Sequence, residues 1–231
     1  ALTCVTAQNP RQVSAIQALD PGLVVQQILT VCEAFPVAAA KTGMLFSREL
    51  IQAVADPAVQ QHLPLLVADP VMVAASGDRL LQPDAIEALT RHLLPLARVI
   101  TPNLHEAEIL CGTGIASEAD LRAAARAIGE QFDVACVVKG GHLGGDEVVD
   151  VLFEKGQERV YRGPRVEAAE SHGCGCTFSA ALTAYLARGV LLPEAVAQAK
   201  DFVTGALEHA VAAGEHRPLS FCWNISLGGP F

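Results

Sequence analysis

The chain reads as one layered α/β domain, with a mostly parallel sheet covered by helices on both faces. Three observations predict this. Short apolar runs alternate with amphipathic stretches along the 231 residues, the spacing that parallel strands and crossover helices require. Hydrophobic residues make up 51% of the chain and aromatics only 5%, so the core is built from Ala, Val, Leu and Ile. No repeat, low-complexity tract or long linker divides the sequence, and its length suffices for one substantial core.

Residues 2–6 have the pattern of a first strand. A helix is expected over 21–35, with Pro21 near its first turn and apolar side chains at 24, 25, 28, 29 and 32. Residues 37–41 form a short strand. Ser47 is placed to cap a helix reaching about residue 61, without a full capping box because Leu50 stands three residues on. Residues 65–68 are an apolar strand running into Asp69-Pro70. A helix over 83–94 leads to a strand over 98–101 that ends in Pro102-Asn103. Helices follow over 104–111 and 117–132, then a strand over 134–139 that ends in Gly140-Gly141. Residues 148–154 and 159–162 read as a hairpin about Lys155-Gly156-Gln157, and the last helices cover 176–188 and 193–213.

Composition narrows the function. Lys and Arg number 16 against 25 Asp and Glu, for a net charge of −9, and no basic cluster is visible. Nucleic acid and anionic membranes are therefore disfavoured, and neither is expected as a partner. The seven cysteines (4, 32, 111, 136, 174, 176 and 222) are odd in number and scattered. With no signal peptide before them and no apolar run long enough to span a bilayer, a reduced cytoplasmic setting is expected, most cysteines serving as small buried apolar groups.

Polar residues stand at the ends of three expected strands: Asp69, Asn103 and Lys139. Ligands of open α/β sheets bind beyond the carboxyl ends of the strands, so these residues should converge on one rim. Asp69 could orient a metal-bound water or a substrate donor, or simply close a turn before Pro70. Asn103 and Glu106, at i and i+3 of a helix start, share a face. They could hold the water shell of Mg²⁺, and they equally fit an Asn N-cap with Glu at N3. Lys139 beside a Gly-Gly turn could neutralise a transferring phosphate, or be a solvated strand-end lysine.

The most specific segment is Ser171-His172-Gly173-Cys174-Gly175-Cys176-Thr177-Phe178-Ser179, with an apolar helix directly after it. A Gly-X-Gly turn that opens a helix leaves backbone N–H groups unpaired at the positive end of the helix dipole, an anion site. A cysteine at that position, Cys176, should have a lowered thiol pKa. Zinc binding by Cys174 and Cys176 lacks the second cysteine pair that such sites use.

Taken in order, these segments resemble the ribokinase-like superfamily. Within it they resemble the hydroxymethylpyrimidine/phosphomethylpyrimidine kinases of thiamine biosynthesis. The matching stretches are Val5-Thr6-Ala7-Gln8-Asn9, Lys41-Thr42-Gly43-Met44-Leu45, Asp69-Pro70-Val71-Met72-Val73 with Ser76-Gly77-Asp78, Thr101-Pro102-Asn103 through Glu106, Lys139-Gly140-Gly141-His142 and His172-Gly173-Cys174-Gly175-Cys176-Thr177. They run over residues 5–218. Sugar kinases of the superfamily carry Asp where the pyrimidine kinases carry Cys, here Cys176.

The resemblance implies a three-layer ribokinase-like fold. It implies ATP and Mg²⁺ as cofactors and phosphorylation of 4-amino-5-hydroxymethyl-2-methylpyrimidine and then of its monophosphate. Gln8, Met44 and Val71 correspond to the pyrimidine pocket, and Asn103 and Glu106 to the metal and phosphate region, with Asp69 nearby. Lys139 corresponds to the phosphate-facing lysine, the backbone of Gly173, Cys174, Gly175 and Cys176 to the anion hole, and Cys176 to the group that takes the hydroxyl proton. A homodimer is implied as well. A pyridoxal or pyridoxine kinase, or a non-catalytic relative that senses nucleotide or pyrimidine, fits the same segments.

The chain departs from the family pattern in places. Its Gly-rich substrate loop and the strand before it, normally well upstream of Gln8, have no counterpart in residues 1–231. Ala75 stands for a lysine, Cys174 for a threonine and Glu167-Ala168 for Asp-Thr. The sheet is therefore expected to miss a central strand, its place filled by an upstream strand, by residues 219–227 or by a neighbouring chain.

Overall fold

The computed structural model describes residues 1–74, 77, 79–166 and 173–224. The departures at Ala75 and Glu167-Ala168, the residues Ser76, Asp78, Ser171 and His172, and the stretch 225–231 lie outside the described residues.

The chain opens with an antiparallel hairpin of β1 (Cys4–Asn9) and β2 (Gln12–Ala18). Asn9 builds its turn: Oδ1 accepts from the backbone N–H of Arg11 and Gln12 at 2.8 and 3.0 Å. Helix α1 (Pro21–Ala34) follows, its start capped by Asp20.

Six strands form the main sheet. β3 (Ala40–Thr42), β4 (Leu66–Ala68), β5 (Val99–Ile100) and β6 (Ala135–Lys139) are parallel neighbours in that order. β7 (Glu147–Glu154) and β8 (Gln157–Pro164) extend it as an antiparallel hairpin beyond β6. The helices are α2 (Arg48–Ala55), α3 (Pro57–Gln60), α4 (Ala85–Ala88), α5 (Leu104–Cys111), α6 (Glu118–Phe132), α7 (Cys174–Ala187) and α8 (Leu192–Glu208).

Strand alternation deals the core into two layers. Leu66, Ala68, Ile100, Cys136 and Val138 face a cluster with Ile51 of α2, Ala107 of α5 and Leu121 and Ile128 of α6. Val67, Val99, Ala135 and Val137 face the opposite cluster, with Phe178 and Leu182 of α7 and Val196 of α8. Successive residues of one strand thus serve opposite layers, and the short inner strands are apolar throughout. Burying a Leu or Val of this kind stabilises the fold by about 1.5–3 kcal/mol.

Several expectations need correction. β2 is additional to the expected elements; four of its seven residues are exposed, so its apolar alternation is weak. The expected helix over 47–61 is two helices, because Pro57 disfavours helical backbone at Asp56, whose ψ is 132°. Asp56 then caps α3, accepting from the Ala58 N–H at 2.8 Å. The helix over 83–94 is regular only in α4. It widens over Leu89–Leu93 and tightens over Leu94–Leu96, where Thr90 Oγ1 donates back to the Ile86 carbonyl. The last helix stops at Glu208. Each described strand of the main sheet is hydrogen-bonded to the next, and β3 and β8 are its two edge strands. The first strand belongs to a separate hairpin. No helix among the described residues is long and apolar enough to cross a membrane.

Candidate active site

The parallel strands end on one rim, and Asp69 is its centre. It follows β4 directly and is 3% exposed. Oδ1 accepts from the Lys139 ammonium at 3.0 Å and from Thr101 Oγ1 at 3.3 Å. Oδ2 accepts from Ser179 Oγ at 2.9 Å, and the Lys41 Nζ stands 3.9 Å away. The side chains therefore come from the ends of β3, β5 and β6 and from the first turns of α7. Lys139 is fixed at its root, its N–H donating to the Pro102 carbonyl at 2.9 Å.

Glu106 lies beside this pair. It completes a capping box at the start of α5: Asn103 Oδ1 accepts from the Glu106 N–H at 2.9 Å, and Glu106 Oε2 from the Asn103 N–H at 2.8 Å. An ordinary capping glutamate is solvated, whereas this one is 3% exposed. Its other oxygen accepts from the Met72 N–H at 3.3 Å. Burial raises its pKa to about 7; Lys139 opposes the rise and Asp69 adds to it. Burial alone would lower Lys139, but the carboxylates of Asp69 and Glu106 outweigh it and hold the ammonium above its ordinary value.

The segment singled out by its glycines supplies the facing wall. Gly173 has φ +83°, a backbone state that favours glycine, and its carbonyl accepts from both the N–H and the Oγ1 of Thr177 at 2.8 Å. Gly173 at the N-cap has no side chain and no other described side chain caps α7, so among the described residues its first turn presents uncapped backbone N–H groups. Helix α7 begins at Cys174, two residues before the expected start. Lys139 reaches this turn: a Cβ added at Gly175 would lie 3.1 Å from the Lys139 Nζ. An ammonium and a helix N-terminus thus flank the same space, the arrangement that binds an anion.

Cys176 is exposed at that turn. Its thiol lies above its ordinary value, contrary to the expected lowering. Partial burial comes first and the Asp69 charge second, and together they outweigh Lys41 and Lys139. Burial likewise raises Cys174.

Of the remaining expected site residues, Met44 and Val71 are half-buried just beyond β3 and β4, while Gln8 is exposed near the tip of β1. The hairpin meets the rim side through Thr3 Oγ1, which donates to the Met44 carbonyl at 2.6 Å. Lys41, Thr101 and Ser179 were not singled out by sequence reasoning. Ser179 and Thr101 stand inside the quoted stretches or next to them, but only the fold brings them to Asp69.

The donor set fits a hard divalent cation in one way only. No group of three His, Cys, Asp or Glu side chains among the described residues could cage a metal. Two buried carboxylates, Asp69 and Glu106, the second raised to about 7 mainly by burial, suit Mg²⁺, which needs few protein oxygens when phosphate and water supply the rest.

Residues 1–220 match the family model described as phosphomethylpyrimidine kinase. The chain is 45% identical over 212 residues to a hydroxymethylpyrimidine/phosphomethylpyrimidine kinase of Rhizobium meliloti, covering 90% of this chain and 79% of that one. It is 41% identical over 220 residues to a thiamine biosynthesis bifunctional protein of Geobacter sulfurreducens, covering 95% of this chain but only 45% of that protein. Among solved structures, the ADP complex of Bacillus subtilis pyridoxal kinase superposes with a TM-score of 0.86 at 34% identity, over 96% of this chain and 85% of that one.

Proposed function

The chain belongs to the phosphomethylpyrimidine kinase family, and on that premise we propose that it moves the γ-phosphoryl group of ATP to 4-amino-5-hydroxymethyl-2-methylpyrimidine, and then to the monophosphate so formed. The observation that carries this reading is the Lys139 ammonium set against the uncapped start of α7, with the Cys176 thiol on the same turn. Phosphoryl transfer asks for positioning and charge neutralisation more than covalent help, and this rim offers both.

In the first transfer the substrate hydroxyl oxygen forms the new bond to phosphorus as the bond to the ADP oxygen breaks, and Cys176 takes the hydroxyl proton. Because its thiol sits above its ordinary value, the thiolate is a minor species at neutral pH and a correspondingly strong base. Lys139 and the N–H groups of Cys174, Gly175 and Cys176 face the transferring group. In the second transfer the acceptor is already an anion, so Cys176 matters less. Asp69 and Glu106 would hold Mg²⁺ through its water shell; when bound, the ion supplies further neutralisation of the phosphates. Met44 and Val71 would line the pyrimidine pocket, with Gln8 reaching in from the hairpin. The 231 residues act as one kinase domain in the cytoplasm and pair as a homodimer.

A coupled ADP-release assay with the hydroxymethylpyrimidine, its monophosphate and pyridoxal tests the reading. Turnover of both pyrimidines is expected. Preferential turnover of pyridoxal would favour the second reading, a pyridoxal kinase, for which the likeness to the Bacillus subtilis pyridoxal kinase speaks. Binding without any turnover would make the chain a sensor. Sedimentation velocity measures the dimer.

A further inference from the structure

Behind the Lys139 strand end lies a buried ion pair that the steps above do not use. Lys200 of α8 and Asp150 of β7 are 8% and 5% exposed, with Nζ donating to Oδ2 at 2.7 Å. The other carboxylate oxygen, Oδ1, accepts from the N–H of Gly140 at 2.9 Å. Gly140 is the residue after Lys139, and Asp150 is the direct partner of Lys139 across the β6–β7 ladder. Two glycines make the arrangement possible. A Cβ at Gly163 of β8 would stand 3.0 Å from the Lys200 Cε, so the lysine stem lies against bare backbone. A Cβ at Gly140 would run into the Val149 carbonyl, so the turn is pressed onto β7. A buried ion pair is a poor stabiliser, since apolar groups of similar volume serve as well or better. Its retention beside the rim calls for another account.

We propose that Asp150, held by Lys200, is a positioning residue for phosphoryl transfer. It ties the Gly140 amide to β7 and so fixes the direction in which Lys139 leaves the sheet toward Gly175. Lys200 keeps the carboxylate oriented, with one oxygen left for Gly140. The inference rests on the reading above that Lys139 faces the transferring phosphate.

Two double variants separate anchoring from charge. Asp150→Asn with Lys200→Met removes both charges but leaves an amide oxygen for the Gly140 N–H. Asp150→Leu with Lys200→Met removes the charges and the acceptor; Asp150→Ala replaces Asp150→Leu if that protein does not fold. Steady-state kinetics are run well below the melting transition of both, so that turnover is counted per folded molecule. The acceptor-free protein should lose roughly 10–100-fold in kcat, as expected for a catalytic group misplaced by about an ångström, with the KM for the pyrimidine little changed. The asparagine protein should keep most of its kcat. Amide exchange at Gly140 should be fast only in the acceptor-free protein. Equal kcat in the two doubles overturns the positioning role and leaves the pair purely structural. A wild-type chain without phosphotransfer to any tested acceptor overturns the kinase reading itself, and the positioning role with it.

Discussion

Replacing Glu106 by Gln should change stability in a way that depends on pH, with a sign the structure sets. The carboxyl is buried, and its pKa stands at about 7 against an ordinary 4.5. Below 4.5 both folded and unfolded chains hold the proton, and the group adds no pH dependence. As pH rises from 4.5 toward 7, the unfolded chain ionises while the folded chain keeps its proton, so wild-type stability falls. Above 7 both forms are ionised and the loss is complete. At about 1.4 kcal/mol per pH unit, the difference between the two values corresponds to about 3 kcal/mol. Glutamine keeps the capping-box geometry and never ionises. Urea unfolding of both proteins from pH 4 to pH 8.5 gives the test, because subtracting one stability curve from the other cancels the remaining titrating groups. The variant should gain on the wild type by up to about 3 kcal/mol across that range, with most of the gain between pH 5 and 7. A flat difference, or one that shrinks as pH rises, would refute the reasoning. Under the proposed function the same substitution should also weaken the Mg²⁺ dependence of turnover with the fold intact. A lowered melting temperature with turnover kept would leave Glu106 as a cap alone.

Cys176→Ala should slow the first phosphorylation by roughly 10²–10⁴-fold and the second much less; equal losses would make the thiol structural. In the wild type the first-step kcat should climb with pH to a point above the ordinary thiol value, because the thiol is raised, and the alanine protein should lack that limb. Gly175→Ala places a methyl group 3.1 Å from the Lys139 Nζ, so kcat should fall by about tenfold or more while the melting temperature barely moves; unchanged kcat would show that Lys139 need not occupy that spot. Ser179→Ala removes a buried donor to a carboxylate oxygen and should lower the unfolding free energy by about 1.5–3 kcal/mol, read from urea curves at pH 7.

The strand ends were legible because position at a carboxyl end depends only on local order: Asp69, Asn103 and Lys139 each close a short apolar run. The capping box was legible because both of its partners lie within one turn. What surrounds Asp69 was not, since Ser179 comes from 110 residues away and Thr101 from 32, and nothing in a serine's own neighbourhood tells which carboxylate it will meet. The thiol of Cys176 went the other way from expectation for a related reason. A helix start lowers a thiol pKa, but the carboxylate across the rim and the loss of water raise it, and both are tertiary facts. The break at Asp56-Pro57 was missed although its cause is local, since the residue before proline avoids helical backbone; the helical periodicity on both sides masked it.

The charges of the rim explain why an acidic chain can handle phosphate at all. Two lysines, Lys41 and Lys139, face two carboxylates, Asp69 and Glu106. With all four ionised the set is neutral and offers an incoming polyphosphate no net attraction beyond the start of α7. Two routes restore positive charge. One is a divalent cation arriving with the nucleotide, the ion that the proposed function requires. The other is a proton on Glu106, whose pKa of about 7 makes protonation cheap at neutral pH. The two compete for the same carboxylate, so the burial that raises Glu106 also makes cation binding at this rim sensitive to pH. A solvated capping glutamate at the same position, with an ordinary pKa, would leave the rim indifferent to pH above about 6. The depth of Glu106, more than its presence in the helix cap, is what connects the fold to the chemistry.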